Sequence, residues 1–147
     1  MNKKRILIVT IFILIVVVIT TKNNFINTTA NQNEEESQSI LYQDVIITAL
    51  TPTIQNAIDD YYKNVLSYLP GYDSSFIKIL NIERPNGDRT WHFIITIEIE
   101  PYIGPHITVG KDRISIDLSY PGQPEVLKFE HLEDHPLPER YNDLYLH

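Results

Sequence analysis

Few side chains in this sequence combine the chemistry and the spacing of a reactive site. Glu98 and Glu100 lie two residues apart in a segment of alternating polarity, so both carboxylates would point to one strand face and could divide acid and base roles. On a strand surface, such a pair is more commonly solvated charge. His131 and His135 are four residues apart. On a helix, two histidines at this spacing could bind one metal ion, but residues 126–132 have the pattern of a strand. We therefore predict no metal site.

Motifs for covalent chemistry are missing. The sequence contains no Gly-x-Ser-x-Gly motif, no glycine-rich phosphate loop and no cysteine. The missing cysteine excludes a disulfide framework, a thiol nucleophile, a cysteine-based zinc site and a lipid-attachment cysteine. We predict no catalytic residue and no cofactor, and we lean against an enzyme.

The most unusual stretch is the loop predicted at residues 101–112, which contains two prolines and two glycines. Loops held on a rigid sheet are common positions for binding residues. Together with the adjoining strand ends, this loop is our candidate binding surface. It consists of Glu98, Glu100, Tyr102, Gly104, His106, Lys111 and Asp112. The alternative is a long hairpin connection whose prolines protect a sheet edge.

Two segments in which apolar and polar residues alternate must position this loop. Trp91, Phe93, Ile95, Ile97 and Ile99 fall on one face of a strand predicted over residues 89–100, and Ile114, Ile116 and Leu118 fall on one face of the next, over residues 113–119. Further strands are predicted at residues 76–84 and 125–132. Asn86-Gly87 favours a tight turn between the first two strands. Four sequential strands with short connections indicate an antiparallel meander.

In the residues before the predicted strands, apolar side chains recur at helical spacing. Residues 39–50 have one apolar stripe, and Thr51-Pro52 predicts a new helix start, with Thr at the cap and Pro at the first helical position. The second helix runs from Ile54 to Leu69 and is ended by Pro70-Gly71. We therefore predict an α+β fold with two N-terminal helices packed on a four-stranded antiparallel meander sheet.

The N-terminus has the pattern of an export signal. Lys3-Lys4-Arg5 precedes an apolar run of fourteen residues, Ile6–Ile19, which as a helix would cover roughly 21 Å, less than the hydrocarbon core. Residues 1–21 are predicted to be a signal peptide. An uncleaved membrane anchor stays open, because Thr28-Thr29-Ala30 is a poor cleavage site. The remaining predicted parts are a flexible polar spacer at 22–38, the α+β domain at 39–135 and a C-terminal tail at 136–147.

Charge limits the class of partner. The whole chain has a net charge of −7, and all nineteen acidic residues follow residue 30. A field of that sign repels phosphate backbones, so we exclude a nucleic-acid partner. We expect an exported protein, either secreted or tethered to the outer face of the cytoplasmic membrane. Contact with the membrane is expected only through the N-terminal segment.

Several runs of residues resemble a known family. They include Ile79-Leu80-Asn81-Ile82-Glu83-Arg84-Pro85-Asn86-Gly87, Trp91-His92-Phe93, Glu98-Ile99-Glu100-Pro101-Tyr102, Gly104-Pro105-His106, Val109-Gly110-Lys111-Asp112-Arg113-Ile114 and Lys128-Phe129-Glu130-His131. This set is similar to domain-of-unknown-function family 3888, small exported proteins of bacilli and related spore formers, over residues 37–135. The resemblance implies export and a single domain, and it implies no activity, cofactor or catalytic residue.

Two functions from different classes follow from these residues. The first is a non-catalytic binding or interaction module at the bacterial cell envelope, whose partner is a protein or another envelope component. The alternative is a small extracytoplasmic enzyme or metal-dependent protein that uses His106 with Asp112, Glu98 or Glu100. A cluster of these groups in a concave pocket would favour the alternative. A purely structural protein with no discrete site is a third possibility.

Overall fold

The computed structural model describes residues 34–146, and the chain divides into two compact units between Tyr42 and Gln43. Helix α1 covers residues 34–62. The strands in chain order are β1 (Ile77–Glu83), β2 (His92–Ile99), β3 (Tyr102–Ile103), β4 (Ile107–Thr108), β5 (Gly110–Ser119) and β6 (Glu125–Asp134). Short 3₁₀ helices occupy Ser74–Phe76 and Glu139–Leu144.

The predicted signal or anchor at residues 1–21, and the predicted spacer as far as residue 33, lie outside the described residues. Residues 34–38, the end of that spacer, are helical and exposed. Within residues 34–146, no helix is both long enough and apolar enough to cross a membrane.

The prediction of two N-terminal helices is wrong, because α1 continues through Thr51 and Pro52. The Thr51 hydroxyl donates a hydrogen bond to the Ile47 carbonyl at 3.1 Å instead of capping a new helix. Proline has a helical φ, and its main costs are one missing backbone hydrogen bond and crowding of the preceding turn. Ile54 and Ile58 are fully buried beyond it, and this burial outweighs the cost of the proline.

The second predicted helix was expected to reach Leu69, but α1 ends at residue 62. The following segment pairs with the C-terminal tail instead. Leu66 forms a β-bridge with Tyr145, and the Ser67 N–H donates to the Leu144 carbonyl at 2.7 Å. Backbone groups of residues 65–67 therefore form hydrogen bonds with the C-terminal tail, in place of the bonds that a longer helix would provide.

The predicted four-stranded antiparallel sheet is confirmed, with the strand order β1-β2-β5-β6. Strands β3 and β4 form a separate two-stranded hairpin between β2 and β5. The Asn86-Gly87 pair lies in the connection between β1 and β2, where Gly87 has a φ of +84°. All pairs in the large sheet are antiparallel.

The core lies between α1 and one face of this sheet. Alternate residues of β2 and β5 supply Ile95, Ile97, Ile99, Ile114 and Ile116, which are all at most 2% exposed. Trp91, predicted on the same face, precedes β2 and is 67% exposed. The tail adds Leu137 to the core, and Tyr141, Leu144 and Tyr145 pack against it.

Candidate functional site

The predicted loop 101–112 is shorter than expected. It contains the β3–β4 hairpin, and β5 already begins at Gly110. Lys111 and Asp112 are therefore strand residues. The ladder extends this far because β6 is also longer than predicted, and Gly110 and Lys111 pair with Asp134 and Glu133. The candidate residues consequently separate into three groups: one on the hairpin, one on the outer sheet face and one in the interior.

The hairpin group contains Tyr102, Gly104 and His106. The Tyr102 and His106 ring centroids are 4.3 Å apart, and the Phe76 ring lies 6.3 Å and 6.1 Å from them. We call Phe76, Tyr102 and His106 the aromatic cluster. Gly104 has a φ of +49° and His106 a φ of +59°, a left-handed conformation that costs a histidine about 1 kcal/mol or more. This uncommon backbone turn brings the Tyr102 and His106 rings together.

The hairpin stands on a rigid base. The Tyr102 N–H donates to the Gly71 carbonyl at 2.8 Å, and the reverse bond is 3.0 Å long. The Val109 N–H donates to the Pro101 carbonyl at 2.9 Å. Pro101, Ile103 and Val109 are all buried. The backbone that carries Tyr102 and His106 is therefore held in place by hydrogen bonds and by buried neighbours.

The outer-face group contains Glu98 and Lys111. The Glu98 carboxylate lies 3.1 Å from Lys111 Nζ and 3.2 Å from Arg113. These hydrogen bonds, led by the one from Lys111, lower the pKa of Glu98 and keep it ionised. Register pairing places Lys78, Glu98, Arg113 and Glu130 in one row across four strands, with alternating charge. Glu100 follows the end of β2 and is half-buried.

Asp112 is fully buried and lies in a hydrogen-bonded network with α1 and β6. The Tyr62 hydroxyl donates to Asp112 Oδ2 at 3.0 Å, and His131 Nδ1 lies 2.7 Å from Asp112 Oδ1. On the other side of the ring, His131 Nε2 lies 3.0 Å from Asp134 Oδ1. Because ionised carboxylates only accept hydrogen bonds, both contacts are satisfied when each ring nitrogen carries a proton.

The direction of the His131 pKa shift agrees with that proton count. Desolvation opposes charge on His131, but the hydrogen bonds and charges of Asp112 and Asp134 outweigh it and raise the pKa of His131. Burial raises the pKa of Asp112, while the His131 and Tyr62 hydrogen bonds oppose that effect. Burial beside Asp112 also raises the pKa of Tyr62. The favoured state is an internal ion pair with a neutral tyrosine donor.

Gly110 makes space for the network. A Cβ atom at this position would lie 2.6 Å from His131 Cε1, 2.7 Å from Tyr62 Oη and 2.8 Å from the Glu133 carbonyl oxygen. All three distances are shorter than van der Waals contact. Glycine is needed here for close approach and not for an unusual φ.

A pocket of about 230 Å³ lies beside the network, lined by Tyr61, Tyr62, His131 and His135 among others. Carboxylates contact both ring nitrogens of His131, and His135 Nδ1 lies 2.8 Å from the Thr108 hydroxyl. Within residues 34–146, no group of three or more His, Asp or Glu side chains has an arrangement that could hold a metal. Neither Asp112 nor His131 hydrogen-bonds a serine or threonine hydroxyl in this network.

Sequence reasoning missed the Tyr62–Asp112–His131 network. A partial signal was present, because Asp112 is in phase with the buried Ile114 and Ile116 if the strand is started at Gly110. No local sequence pattern indicated that Tyr62 and His131 would be the partners of Asp112.

A model of the family "Protein of unknown function (DUF3888)" matches residues 42–133. The chain belongs to the DUF3888 family. This confirms the resemblance seen in the sequence. The matched range includes Tyr62, the aromatic cluster and the Asp112–His131 pair, so both features lie inside the DUF3888 domain. No curated protein and no solved structure matches the chain.

Proposed function

We propose that this DUF3888 domain is a non-catalytic binding module that recognises a cell-envelope component through the aromatic cluster. The observation that supports it is a group of three rings at the surface, in which the half-buried Tyr102 and the exposed His106 lie on the hairpin and the exposed Phe76 lies beside it. Tyrosine and related rings give large contact areas with little loss of rotamer entropy. Their flat faces suit flat ligand surfaces, such as the faces of sugar rings.

The contacts of the other candidate residues favour binding over catalysis. Glu98 is occupied by Lys111 and Arg113, and Asp112 is occupied by Tyr62 and His131. Catalytic use of His106 would require a nearby carboxylate to orient it. Of the three carboxylates chosen from the sequence for that purpose, Glu98 lies in the outer-face row, Asp112 lies in the buried network, and Glu100 follows the end of β2. Catalytic use of His106 would therefore have to proceed without Glu98 and Asp112.

Location at the envelope rests on the N-terminal sequence. The basic residues Lys3, Lys4 and Arg5, followed by the apolar run to Ile19, are typical of export. The acidic remainder of the chain suits an extracytoplasmic domain that does not bind nucleic acid. We propose that the domain acts outside the cytoplasmic membrane, either released or tethered.

Co-sedimentation of the full-length protein, in mild detergent, with isolated peptidoglycan sacculi tests this proposal. The wild-type protein should pellet with the sacculi, and Tyr102→Ala should lose most of that binding. His106→Gly should also lose binding but keep its stability within about 1 kcal/mol, since glycine suits the φ of +59°.

Tyr120→Ala is the matched control. Tyr120 is 72% exposed and follows the far end of β5, and its ring packs against Trp91. This variant should pellet like the wild-type protein. Absence of wild-type pelleting, or equal pelleting of wild type and Tyr102→Ala, would contradict the proposal.

A further inference from the structure

The two most exposed large apolar side chains within residues 34–146 are neighbours at one end of the sheet. Trp91 and Tyr120 are 67% and 72% exposed, and their ring centroids lie 5.0 Å apart with an interplanar angle of 65°. The Tyr120 N–H donates to the Trp91 carbonyl at 2.9 Å, one pair beyond His92 and Ser119 in the β2–β5 ladder. The two rings therefore project from the same face of the sheet.

This face is the one that α1 covers further along the strands. Two residues inward lie Phe93 and Leu118, which are paired and half-buried, and the buried Ile95 comes next. A cleft of about 300 Å³ is lined by both pairs, and no described residue of α1 lines it. The last two pairs of the apolar face are thus uncovered or only partly covered. We call them the apolar end: Trp91, Phe93, Leu118 and Tyr120.

The carboxylates at this end of the sheet point to the other face. Glu83, Asp117 and Glu125 belong to one row of paired residues that also contains Ile94. Ile94 precedes the buried Ile95 in β2, and neighbouring residues of a strand point to opposite faces. The strand rows that form the apolar end therefore contain no carboxylate.

One unpaired cation accompanies the apolar end. The Arg84 guanidinium carbon lies 4.8 Å from the centre of the Phe93 ring, and within residues 34–146 Arg84 forms no salt bridge with a carboxylate. In the adjoining loop, Asp88 and Arg89 carry opposite charges. Other basic side chains of the domain contact carboxylates, namely Lys63, Lys111, Arg113 and Lys128. This end is thus apolar and positively charged in a domain that is acidic elsewhere.

These properties select the interfacial region of a lipid bilayer. Tryptophan and tyrosine concentrate at the level of the lipid headgroups, where one part of each ring is apolar and the other is hydrated. The planar fork of an arginine fits the phosphate oxygens at the same level. A sugar ring is less suited, because the Trp91 and Tyr120 rings offer no common plane. A peptide strand finds no free edge here, because β2 and β5 are the central strands.

A purely structural role accounts for the contact between the rings but not for their exposure. Cross-strand aromatic pairs do stabilise the ends of a sheet. Rings that served only this purpose would gain more from burial. Adjacent exposed apolar side chains instead indicate an interaction surface.

We propose that the apolar end docks the domain on a lipid bilayer, with Trp91 and Tyr120 at headgroup level and Arg84 on a lipid phosphate. This contact is additional to the one expected of the N-terminal segment, and in the cell it rests on the proposed location outside the cytoplasmic membrane. The aromatic cluster follows the opposite end of β2, so it would stay free for its own ligand.

Trp91 is the only tryptophan of the chain, so its fluorescence reports this surface directly. The full-length protein is reconstituted into vesicles of phosphatidylcholine and phosphatidylglycerol, with acyl chains that are either unmodified or brominated close to the headgroups. Brominated lipid should quench Trp91 at least about twofold, since an interfacial side chain reaches about 5–10 Å into the boundary of headgroups and acyl chains. Equal emission in both lipids would overturn the proposal.

A second tryptophan position separates docking from mere proximity to the bilayer. Trp91→Phe/Tyr68→Trp moves the single tryptophan to a position that is 61% exposed and follows the C-terminal end of α1. Brominated lipid should leave its emission nearly unchanged. Quenching as strong as that of Trp91 would show that the domain has no preferred orientation on the bilayer, and docking through the apolar end would be wrong.

The role of Arg84 has a matched control in Arg140, whose guanidinium carbon lies 4.9 Å from the Tyr141 ring centre. Arg84→Gln should lower the ratio of docked to undocked protein about fivefold at low salt, the contribution of one basic residue near an anionic surface. Arg140→Gln removes the same charge and should change the ratio less than about twofold. The opposite order of effects would place the membrane contact on another surface.

Two tyrosine variants distinguish this proposal from the binding of sacculi. Tyr120→Ala should lose most quenching of Trp91 by brominated lipid and keep its pelleting with sacculi in detergent, whereas Tyr102→Ala should do the reverse. Circular dichroism verifies that both variants are folded. A change in Trp91 emission on addition of sacculi, without quenching by lipid, would assign the apolar end to a wall polymer and refute membrane docking.

Discussion

Gly110→Ala should be among the most destabilising single-methyl additions in this domain. The added Cβ would lie 2.6 to 2.8 Å from His131, Tyr62 and the Glu133 carbonyl. Each neighbour would have to retreat by roughly 0.8 Å to restore ordinary contact. The Glu133 carbonyl belongs to the backbone of β6, and both side chains are fixed by Asp112. None of the three can move without disturbing the sheet or the buried network.

The magnitude follows from two costs. Overpacking of a buried site costs about 1–3 kcal/mol, and weakening a hydrogen bond to the buried Asp112 carboxylate costs about 1.5–3 kcal/mol. We expect a loss of at least about 3 kcal/mol in the free energy of unfolding. For a domain of this size, that corresponds to a decrease in melting temperature of about 12 °C.

Urea denaturation and thermal melting followed by circular dichroism measure this loss. Gly71→Ala is the control, because a Cβ at Gly71 meets no atom within 4 Å and Gly71 is not among the residues with positive φ. It should leave stability unchanged or raise it slightly. The reasoning is refuted if Gly110→Ala remains within about 0.5 kcal/mol of the wild-type protein, which is the range of ordinary surface changes.

Three further predictions concern the same network and helix. Tyr62→Phe, which leaves Asp112 with fewer donors and adds almost no cavity, should lower unfolding free energy by about 1–3 kcal/mol in urea melts. The raised pKa of His131 contributes stability that is fully present below its usual value of about 6.5 and is lost as pH rises through the higher folded value. The free energy of unfolding should therefore fall as pH rises above about 6.5, and the double variant Asp112→Asn/His131→Gln should lose this slope. Pro52→Ala restores a backbone donor inside α1 and should stabilise the protein by about 1–3 kcal/mol, whereas a neutral or negative effect would support a helix start at Thr51.

The buried Asp112–His131 pair links three elements of the domain. Asp112 on β5 joins Tyr62 from α1 and His131 from β6, so a single carboxylate fixes three elements against one another. A shift of β6 by one residue would turn His131 to the other face and leave Asp112 buried without its charged partner. Such a loss costs several kcal/mol. We infer that the network helps to specify the register of the β5–β6 pair.

Part of the candidate surface could be predicted from sequence because its signals are local. The prolines and glycines of residues 101–110 indicated an irregular connection, and Tyr102 and His106 are both in the resulting hairpin. Its assignment as a binding surface stays a prediction. Phe76 was missed as a member of the aromatic cluster, because it lies 26 residues before Tyr102 in the sequence and meets it only in the folded chain.

The sequence by itself determined the α+β class, the strand order and the family. Alternation with period two defines strands, and short turns make consecutive antiparallel strands neighbours, so both depend on nearby residues. Tertiary structure alone decided that α1 continues through Pro52, because the burial of Ile54 and Ile58 against the sheet outweighs a local stop signal. Tertiary structure also decided that Asp112 is buried and hydrogen-bonded, whereas the sequence predicted a polar loop residue. Its partners lie 50 residues before it and 19 residues after it, and only the register of β6 and the packing of α1 bring them within hydrogen-bonding distance.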